Sequence, residues 1–441
     1  MKKAKVIPFH KSGDRTNINN YRPISILPAF SKILEKIIAR RLVNYLEKYN
    51  FLSSSQHGYR CNHSTESALL QFVSNVNKFL DERYYVVGLF LDLSKAFDSL
   101  DHKILVHKQS NIGIRGSPLH LFHSYISNRK QAVFCNNVYS STKILSSGVA
   151  QGSVLGPIPF LIYINDIVCA STKFKFTIYA DDTTLLMADK NLQNLHTNLS
   201  NEISRVHQWI KVNRLKLNVN KTNYILFQNR SVRQCLPPVL HNGERIERVQ
   251  YTKFLGVVID EHLDWSLHIK EVCLKLSRTC GILYKIRKQL TTDAMLSIYY
   301  TLAYPFLYYC ISVWGCTWPS FLNTLVVAQK KVLRCMFFIK KFDSTSNIFS
   351  THNLLYVNSI HQYFLLISVF KTIKKPDSQI FSIIEHQRVT RENNANLKIP
   401  RFQPSLYRNS IAYFGPRACN TLPMNLKILI FTCNFSTFKR K

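Results

Sequence analysis

The chain has 441 residues, 46% of them hydrophobic, which is enough for roughly two to four structural units with sizeable cores. Its 58 Lys and Arg against 25 Asp and Glu give a formal net charge of +33, which favours nucleic acid or an anionic membrane as partner. The longest apolar stretch, around 303–314, contains Pro305 and is too short to span a bilayer. No apolar segment of a secretory leader follows Met1. We therefore expect an intracellular protein, nuclear or cytoplasmic and not secreted, with no membrane partner.

The N-terminal third predicts loops, two helices and a strand. Residues 1–30 are basic and then rich in Gly and Asn. Apolar residues at helical spacing predict a helix over 31–49, with Ser31 as its N-cap, and a second helix over 65–80. The run 85–93 is rich in β-forming residues and predicts a buried strand. The residues that define the first helical pattern are Ile33, Leu34, Ile37, Ile38, Leu42 and Leu46.

The remainder of the chain predicts alternating strands and helices, followed by a helical region. The runs 160–167 and 174–179 are apolar and largely β-branched or aromatic. Residues 179–187 predict two short strands joined by a turn at Asp181 and Asp182, which would present both carboxylates at a hairpin tip. Further along, the patterns predict a helix over 192–212, strands over 224–227 and 254–259, and mostly helical structure from 263 to 372. The tail after Pro376 is less periodic.

Three aspartates stand at the ends of apolar segments in a chain that is poor in acid. Asp92 follows the run 88–91, and Asp181-Asp182 follow the run 174–179. Carboxylates in such positions suit a two-metal site, in which two divalent cations about 3.5–4 Å apart clamp the oxygens of a phosphoryl transfer. Oxygen ligands of this kind favour Mg²⁺. The alternative for Asp181-Asp182 is a hairpin turn or a helix N-cap, because Asp is common in both.

Several strings together resemble the motifs of reverse transcriptases. Residues 91–98 (Leu-Asp-Leu-Ser-Lys-Ala-Phe-Asp) resemble motif A, 148–157 resemble motif B, and Tyr179-Ala180-Asp181-Asp182 resemble motif C. The string 151–157, followed by Tyr-Ile-Asn-Asp at 163–166, is similar to that of non-LTR (LINE-like) retrotransposons of the jockey/CR1 type. Other similar segments are 20–25 and 56–60 in the fingers, 217–222 (motif D), 254–256 (motif E), 311–315 in the thumb, and 414–417 with 422–423 near the C-terminus.

The resemblance implies an α+β, right-hand polymerase fold with fingers, palm and thumb and a helical C-terminal region. The implied activity is RNA-directed DNA polymerisation, in which a primer 3′-hydroxyl attacks the α-phosphorus of a dNTP on an RNA template. The implied partners are RNA template, DNA primer or RNA–DNA hybrid, and dNTPs, and the oligomeric state is left open. The implied division is 1–85 fingers, 86–230 palm with a fingers insertion at about 105–147, 231–262 primer-grip region, 263–372 helical thumb and 373–441 C-terminal region.

The same resemblance implies roles at the catalytic centre. Asp92 and Asp181 would hold two Mg²⁺ ions, with Mn²⁺ as a substitute, and Asp182 would bind them or support the ligands. Lys221 would protonate the leaving pyrophosphate, although a surface lysine after a strand is the alternative. Phe97 would lie beneath the incoming sugar and exclude a 2′-hydroxyl, although a core phenylalanine is the alternative.

It also implies contacts to the nucleotide and the primer. Gln151 and Gly152 would line the nucleotide pocket, where glycine permits close approach of the backbone. Arg22 and Lys11 would contact the triphosphate, and a solvated side chain is the alternative for Lys11. The motif E segment, made of Phe254, Leu255 and Gly256, would grip the primer.

Some positions depart from the pattern of the family. Ala150 stands where proline is usual, Ile158-Pro159 where two leucines are usual, and Lys108 where an apolar helix face is expected. The chain begins almost at the first fingers motif, without the endonuclease that such elements carry. These features motivate a second hypothesis: a catalytically inactive, truncated remnant that binds nucleic acid.

Overall fold

Two β-sheets, a β-hairpin and a helical region make up the part of the chain that the computed structural model describes. That part comprises residues 2–228, 236–241, 243–373, 397, 399, 410–423 and 426–427. The strands are β1 (Lys3–His10), β2 (Tyr21–Ile26), β3 (Tyr85–Leu91), β4 (Lys130–Cys135), β5 (Val138–Tyr139), β6 (Lys143–Ile144), β7 (Lys175–Tyr179), β8 (Asp182–Asp189), β9 (Asn223–Phe227), β10 (Val239–His241), β11 (Glu244–Arg248), β12 (Tyr251–Phe254) and β13 (Val257–Asp260).

The helices are more numerous toward the C-terminal half. They are α1 (Ala29–Lys48), α2 (Thr65–Asp81), α3 (His102–Asn111), α4 (Gly116–Ile126), α5 (Pro157–Ile164), α6 (Leu192–Val212), α7 (Ser266–Ile286), α8 (Thr292–Ile298), α9 (Tyr304–Tyr308), α10 (Ile311–Trp314), α11 (Pro319–Met336), α12 (Ser346–Thr351), α13 (Val357–Ile373) and α14 (Ile411–Asn420). Within the residues that the structure describes, no helix combines the length and apolar character needed to cross a membrane.

The larger sheet has the strand order β10-β11-β9-β3-β8-β7, with β3 antiparallel to both of its neighbours. Both faces of β3 are covered, which explains its unbroken apolar sequence. Val87, Leu89 and Leu91 pack with residues of α6, whereas Val86 and Phe90 pack with α2 and the helices after residue 266. The sheet is therefore a central layer between α6 on one side and α2 with the helical region on the other.

The smaller sheet joins segments that are distant in sequence. Its order is β2-β1-β4-β5, with β6 paired to β4; β1 is antiparallel to β2 and parallel to β4. Helices α1, α4 and α5 share a separate apolar cluster that includes Leu46, Phe122 and Leu161. The predicted α+β class is confirmed. The smaller sheet takes its strands from residues 3–26 and 130–144, whereas the strands that flank the three aspartates belong to the larger sheet.

Helix α1 is confirmed, but only three of the six residues that define its apolar pattern are buried or half-buried. The helix begins at Ala29 with Pro28 as N-cap, so Ser31 is a helical residue and not the cap. Its buried positions include Glu35, Ala39, Leu42 and Leu46. Ile33, Leu34 and Ile37 from the predicted stripe are exposed. The buried side of α1 thus includes the carboxylate of Glu35, which is not part of the apolar pattern.

Two predicted strand details also differ. The predicted strand over 254–259 is a hairpin, because Leu255 and Gly256 both have positive φ (46° and 83°) and reverse the chain between β12 and β13. Asp182 is the first residue of β8 and pairs with Tyr179, so the turn consists of Ala180 and Asp181.

The predicted helices over 65–80 and 192–212 and the predicted strands over 85–93 and 224–227 are confirmed within one or two residues. The run 160–167 is helical, and most of the tail after Pro376 lies outside the described residues.

The central position of β3 leads to a stability prediction. Leu89 is fully buried, so Leu89→Ala is expected to lower the free energy of unfolding by about 2–5 kcal/mol, measured by urea denaturation. Leu240 lies on edge strand β10 of the same sheet and is 57% exposed, so Leu240→Ala is the matched control and is expected to cost far less. Equal losses in the two variants would contradict the assignment of β3 as the centre of the core.

Candidate active site at the edge of the central sheet

The register of the central sheet brings the three aspartates together. Leu91 at the end of β3 pairs with Thr183, so the next residue, Asp92, comes opposite Asp182. Tyr179 at the end of β7 pairs with Asp182, which leaves Asp181 in the two-residue turn beside it. Asp92 and Asp181, which are 89 positions apart in the chain, therefore lie at the same end of the paired strands β3, β8 and β7.

The electrostatics of the site reflect this crowding. The pKa of Asp182 is raised to about 6, mainly by burial and then by the charges of Asp181 and Asp92. The pKa of Asp181 is also raised, mainly by burial and by Asp92, while Arg22 and Lys11 act in the opposite direction. The two cations that the sequence suggested as triphosphate contacts therefore lie near the carboxylates.

Residues 56–58 hold the turn that carries Asp181. The backbone N–H of His57 donates to the Ile178 carbonyl over 2.8 Å, so this segment runs beside β7. The Oε1 atom of Gln56, which is fully buried, accepts from the N–H groups of Gly58 (2.8 Å) and Ala180 (3.3 Å). A Cβ at Gly58 would lie 2.6 Å from the Ala180 nitrogen, so only glycine fits this close to the turn. The sequence indicated this segment only through its family resemblance.

The segment 217–222 supports Asp92. The Asn218 Nδ2 donates to the Asp92 Oδ2 over 3.0 Å, and the Asn218 N–H donates to the Asp92 carbonyl over 2.9 Å. The Asp92 N–H donates to the Thr222 hydroxyl over 3.3 Å. Lys221 belongs to the same segment and is exposed. Asn218 was not singled out by the sequence, although it lies inside the motif D string.

The motif B loop is positioned by two tight backbone contacts. Gly152 has φ of +102°, and a Cβ there would lie 3.0 Å from the Ser25 carbonyl oxygen. The Ser25 N–H donates to the Gln151 carbonyl over 2.8 Å, so the loop adjoins strand β2, which carries Arg22. On its other side, the N–H of Val149 donates to the carbonyl of Phe97 over 2.9 Å. The loop thus connects the smaller sheet to the segment after β3.

Glu35 explains how the start of α5 is held. Its side chain, only 1% exposed, accepts from the Val154 N–H over 2.8 Å and from the Tyr125 hydroxyl over 3.0 Å. Burial, with the nearby charge of Glu35, raises the pKa of Tyr125 to about 12. Pro159 is the third residue of α5 and lies in its first turn, where backbone N–H groups have no partner within the helix. The departure at position 159 is therefore compatible with the helix.

Phe97 and Lys108 also have defined surroundings. Phe97 is partly buried, and its ring centroid lies 4.6 Å from that of Phe160, so one side of the ring packs in the core. The Lys108 Nζ donates to the Asp166 carboxylate over 2.6 Å and to the Tyr163 carbonyl over 2.7 Å. It also lies 4.8 Å from the centre of the Trp209 ring. The unusual lysine in α3 is thus paired and packed.

The predicted primer-grip residues divide between core and surface. Phe254 is 4% exposed and packs against the rings of Phe72 and Phe90, with centroids 5.9 and 5.8 Å away. In the turn that follows, Leu255 is half-buried and packs against this core, whereas Gly256 is exposed. The part of motif E that is available for contact is therefore the turn.

The donor set at the sheet edge suits a hard cation. Within the described residues, no three Asp, Glu, His or Cys side chains already stand in the arrangement of a complete metal-binding group. Asp92, Asp181 and Asp182 nevertheless repel one another enough to shift pKa values, and a bound cation would relieve that repulsion. Mg²⁺ needs only one or two protein carboxylates, with waters and substrate phosphates as its other ligands. The residues therefore fit Mg²⁺.

Comparison with known proteins identifies the family. A mixed central sheet with three carboxylates at the ends of its strands, beside a second sheet and a helical region, fits a right-hand polymerase fold. The family model of reverse transcriptase (RNA-dependent DNA polymerase) matches residues 9–259, and the chain belongs to that family.

Curated relatives match most of this chain. It is 30% identical to "RNA-directed DNA polymerase from mobile element jockey" of Drosophila melanogaster, over 76% of the chain and 37% of the relative. It is 27% identical to "Probable RNA-directed DNA polymerase from transposon BS" of the same species, over 76% of the chain and 38% of the relative. The chain thus spans less than two fifths of the length of these two proteins. Among solved structures, telomerase from Candida albicans with a fragment of telomeric RNA aligns over 81% of this chain and 66% of its own, with 13% identity and a TM-score of 0.48.

The contact at Gly58 leads to a second prediction. Gly58→Ala is expected to lower the free energy of unfolding by about 1–3 kcal/mol, because the new methyl group would displace the Ala180 backbone. Gly281 in α7 has no atom within 4 Å of an added Cβ, so Gly281→Ala is the control. The control is expected to stabilise the protein by about 0.5–1 kcal/mol, as alanine does inside helices. Thermal denaturation of both variants measures the difference, and an unchanged Gly58→Ala protein would contradict the close approach.

Proposed function

We propose that this chain is an RNA-directed DNA polymerase of the non-LTR retrotransposon type. It would transfer nucleotides from dNTPs to a primer 3′-hydroxyl on an RNA template. The observation that carries the proposal is the meeting of Asp92, Asp181 and Asp182 at one end of the paired strands, with Arg22 and Lys11 acting on Asp181. Family membership and the similarity to retrotransposon polymerases support it.

The carboxylates would hold the divalent cations. Asp92 and Asp181 would bind two Mg²⁺ ions, or Mn²⁺ in their place, and Asp182 would bind them or support the ligands. The ions would supply charge neutralisation at the attacking and leaving oxygens of the transfer. Asn218 would keep the Asp92 carboxylate in a fixed orientation through its 3.0 Å hydrogen bond. Gln56 would do the same for the turn that carries Asp181.

The nucleotide would bind between the two sheets. Arg22 and Lys11 would contact the triphosphate, where a guanidinium can form two parallel hydrogen bonds. Gln151 and Gly152 would form the wall of the pocket, since their loop lies between β2 and the segment after β3. Lys221 would protonate the pyrophosphate, because its segment is anchored to Asp92 and its side chain is exposed.

The partners would be an RNA template and a DNA primer, or an RNA–DNA hybrid, inside the cell. The net charge of +33 supports contacts to phosphate backbones. We retain the proposed division into fingers (1–85), palm (86–230, with a fingers insertion at about 105–147), primer-grip region (231–262), thumb (263–372) and C-terminal region (373–441). The turn of Leu255 and Gly256 would touch the primer, with Phe254 anchoring it from the core.

Primer extension tests the catalytic proposal. On poly(rA)/oligo(dT) with dTTP and Mg²⁺, Asp181→Asn is expected to reduce the rate of extension at least about a hundredfold, as loss of an electrostatic catalytic group does. Asp189→Asn is the matched control, because Asp189 ends β8 at the opposite end of the strand from the catalytic edge. It is expected to extend at the wild-type rate.

The inactive-remnant hypothesis predicts a different result. Wild type, Asp181→Asn and Asp189→Asn would all fail to extend the primer, while all three would bind the hybrid with an affinity that falls as salt rises. Binding is measured by fluorescence anisotropy of a labelled hybrid on the same preparations. That combination of results would contradict the polymerase proposal and leave the fold assignment unchanged.

Phe97 leads to a separate prediction about sugar selection. Phe97→Ala is expected to raise the ratio of rNTP to dNTP incorporation by about 10- to 100-fold, because removal of the ring leaves room for a 2′-hydroxyl. Both substrates are measured on the same preparation, so partial unfolding caused by the lost contact with Phe160 changes both rates and cancels in the ratio. An unchanged ratio would leave Phe97 as a core residue only.

A further inference from the structure

Tyr309 connects the helical region to the motif E turn. It follows α9, and its hydroxyl donates to the Leu255 carbonyl over 2.8 Å. Its ring also covers Gly256, where an added Cβ would lie 3.3 Å from the ring atom Cε1. One side chain therefore touches both residues of a turn that is more than fifty positions away in the sequence.

The backbone of Tyr309 is itself anchored. The indole Nε1 of Trp314, which is fully buried, donates to the Tyr309 carbonyl over 2.8 Å. The next residue, Cys310, has φ of 55° and reverses the chain into α10. The Ser312 hydroxyl bonds to the carboxylate of Glu66 in α2. These contacts give the string 311–315, which the sequence singled out, a structural role in fixing Tyr309.

Tyr309 also lies near the catalytic hairpin. Its pKa is raised, mainly by burial; a hydrogen bond with Thr65 lowers it, whereas Cys310 and then Tyr179 raise it. Tyr179 ends β7 immediately before the turn of Ala180 and Asp181. A residue that is 37% exposed is thus fixed against the motif E turn by its hydroxyl and its ring.

We propose that Tyr309 is a positioning residue for the primer: it fixes the turn of Leu255 and Gly256, and with it the primer 3′ end, relative to the catalytic aspartates. The proposal rests on the proposed polymerase function and deepens it. The turn consists of only two residues, both with positive φ, and follows the buried Phe254 directly. The hydroxyl of Tyr309 provides a lateral hydrogen bond that limits tilting of this turn about its base.

The hydroxyl alone can be removed by Tyr309→Phe, which keeps the ring over Gly256. Tyr308→Phe is the matched control, because Tyr308 is also 37% exposed but stacks on Phe364, with ring centroids 5.3 Å apart. Single-turnover extension of a DNA primer on an RNA template, with saturating enzyme, gives a rate constant that does not depend on the folded fraction. Tyr309→Phe is expected to lower this constant about threefold to tenfold, as loss of one hydrogen bond does, with the KM for the dNTP changed less than twofold.

A second readout needs no chemistry. A primer with 2-aminopurine at its 3′-terminal base, bound to the RNA template and saturated with protein, reports the environment of the primer end through its fluorescence. The Tyr309→Phe complex is expected to differ from the wild-type complex, whereas the Tyr308→Phe complex matches it. Thermal denaturation checks that the two variants are equally folded.

The outcomes separate this proposal from the polymerase proposal. Wild-type rate and wild-type fluorescence in Tyr309→Phe would overturn the positioning role. Equal effects of Tyr308→Phe and Tyr309→Phe would also overturn it, because the effect would then come from general loss of tyrosine hydroxyls in the thumb. If the wild type fails to extend but the fluorescence differs only in Tyr309→Phe, the polymerase proposal fails while the positioning role stands.

Discussion

The pairing of β3 with β8 is the constraint on which the rest of the site depends. Because Leu91 lies opposite Thr183, Asp92 lies opposite Asp182, and three like charges gather at one edge. Burial, and then the charges of Asp181 and Asp92, raise the pKa of Asp182 to about 6, so ionisation of Asp182 at neutral pH is less favourable in the folded chain than in the unfolded chain. The register persists because both faces of β3 are buried, and a slip by one residue would exchange the two sets of core side chains.

Side chains that are distant in sequence hold the surroundings of the three aspartates in place. Gln56 binds the turn before Asp182, Asn218 binds Asp92, and Glu35 binds the start of α5 behind the motif B loop. Each contact uses a polar side chain on a backbone group or carboxylate, with donor and acceptor well separated in sequence. Such contacts fix direction as well as distance, which apolar packing alone does poorly. These hydrogen bonds therefore hold the backbone and side chains around the three carboxylates in defined positions.

Local pattern predicted the parts of the fold that local interactions decide. The apolar periodicity of α6 and the β-rich run of β3 were sufficient to predict these two elements, because each element buries the residues that define its pattern. The same reasoning predicted helix α1 but not the burial of Glu35 on it, because the partners of Glu35, Val154 and Tyr125, lie 119 and 90 residues away. The carboxylates could be recognised by type and position, whereas Gln56 owes its role to a contact that only the folded chain reveals.

The departures from the family pattern bear on activity less than they first suggest. Pro159 occupies a first-turn position that needs no donor, and Lys108 replaces an apolar contact by bonds to Asp166 and the Tyr163 carbonyl. Lys108 has hydrogen-bond partners close to it, and Pro159 needs none for its backbone nitrogen, so neither change requires a rearrangement of the surrounding residues. A loss that would disable the site must instead touch a contact with no substitute nearby, such as the Gln56 amide beneath the Asp181 turn. The contacts of Gln56 with the Asp181 turn and of Asn218 with Asp92 are both formed in this chain.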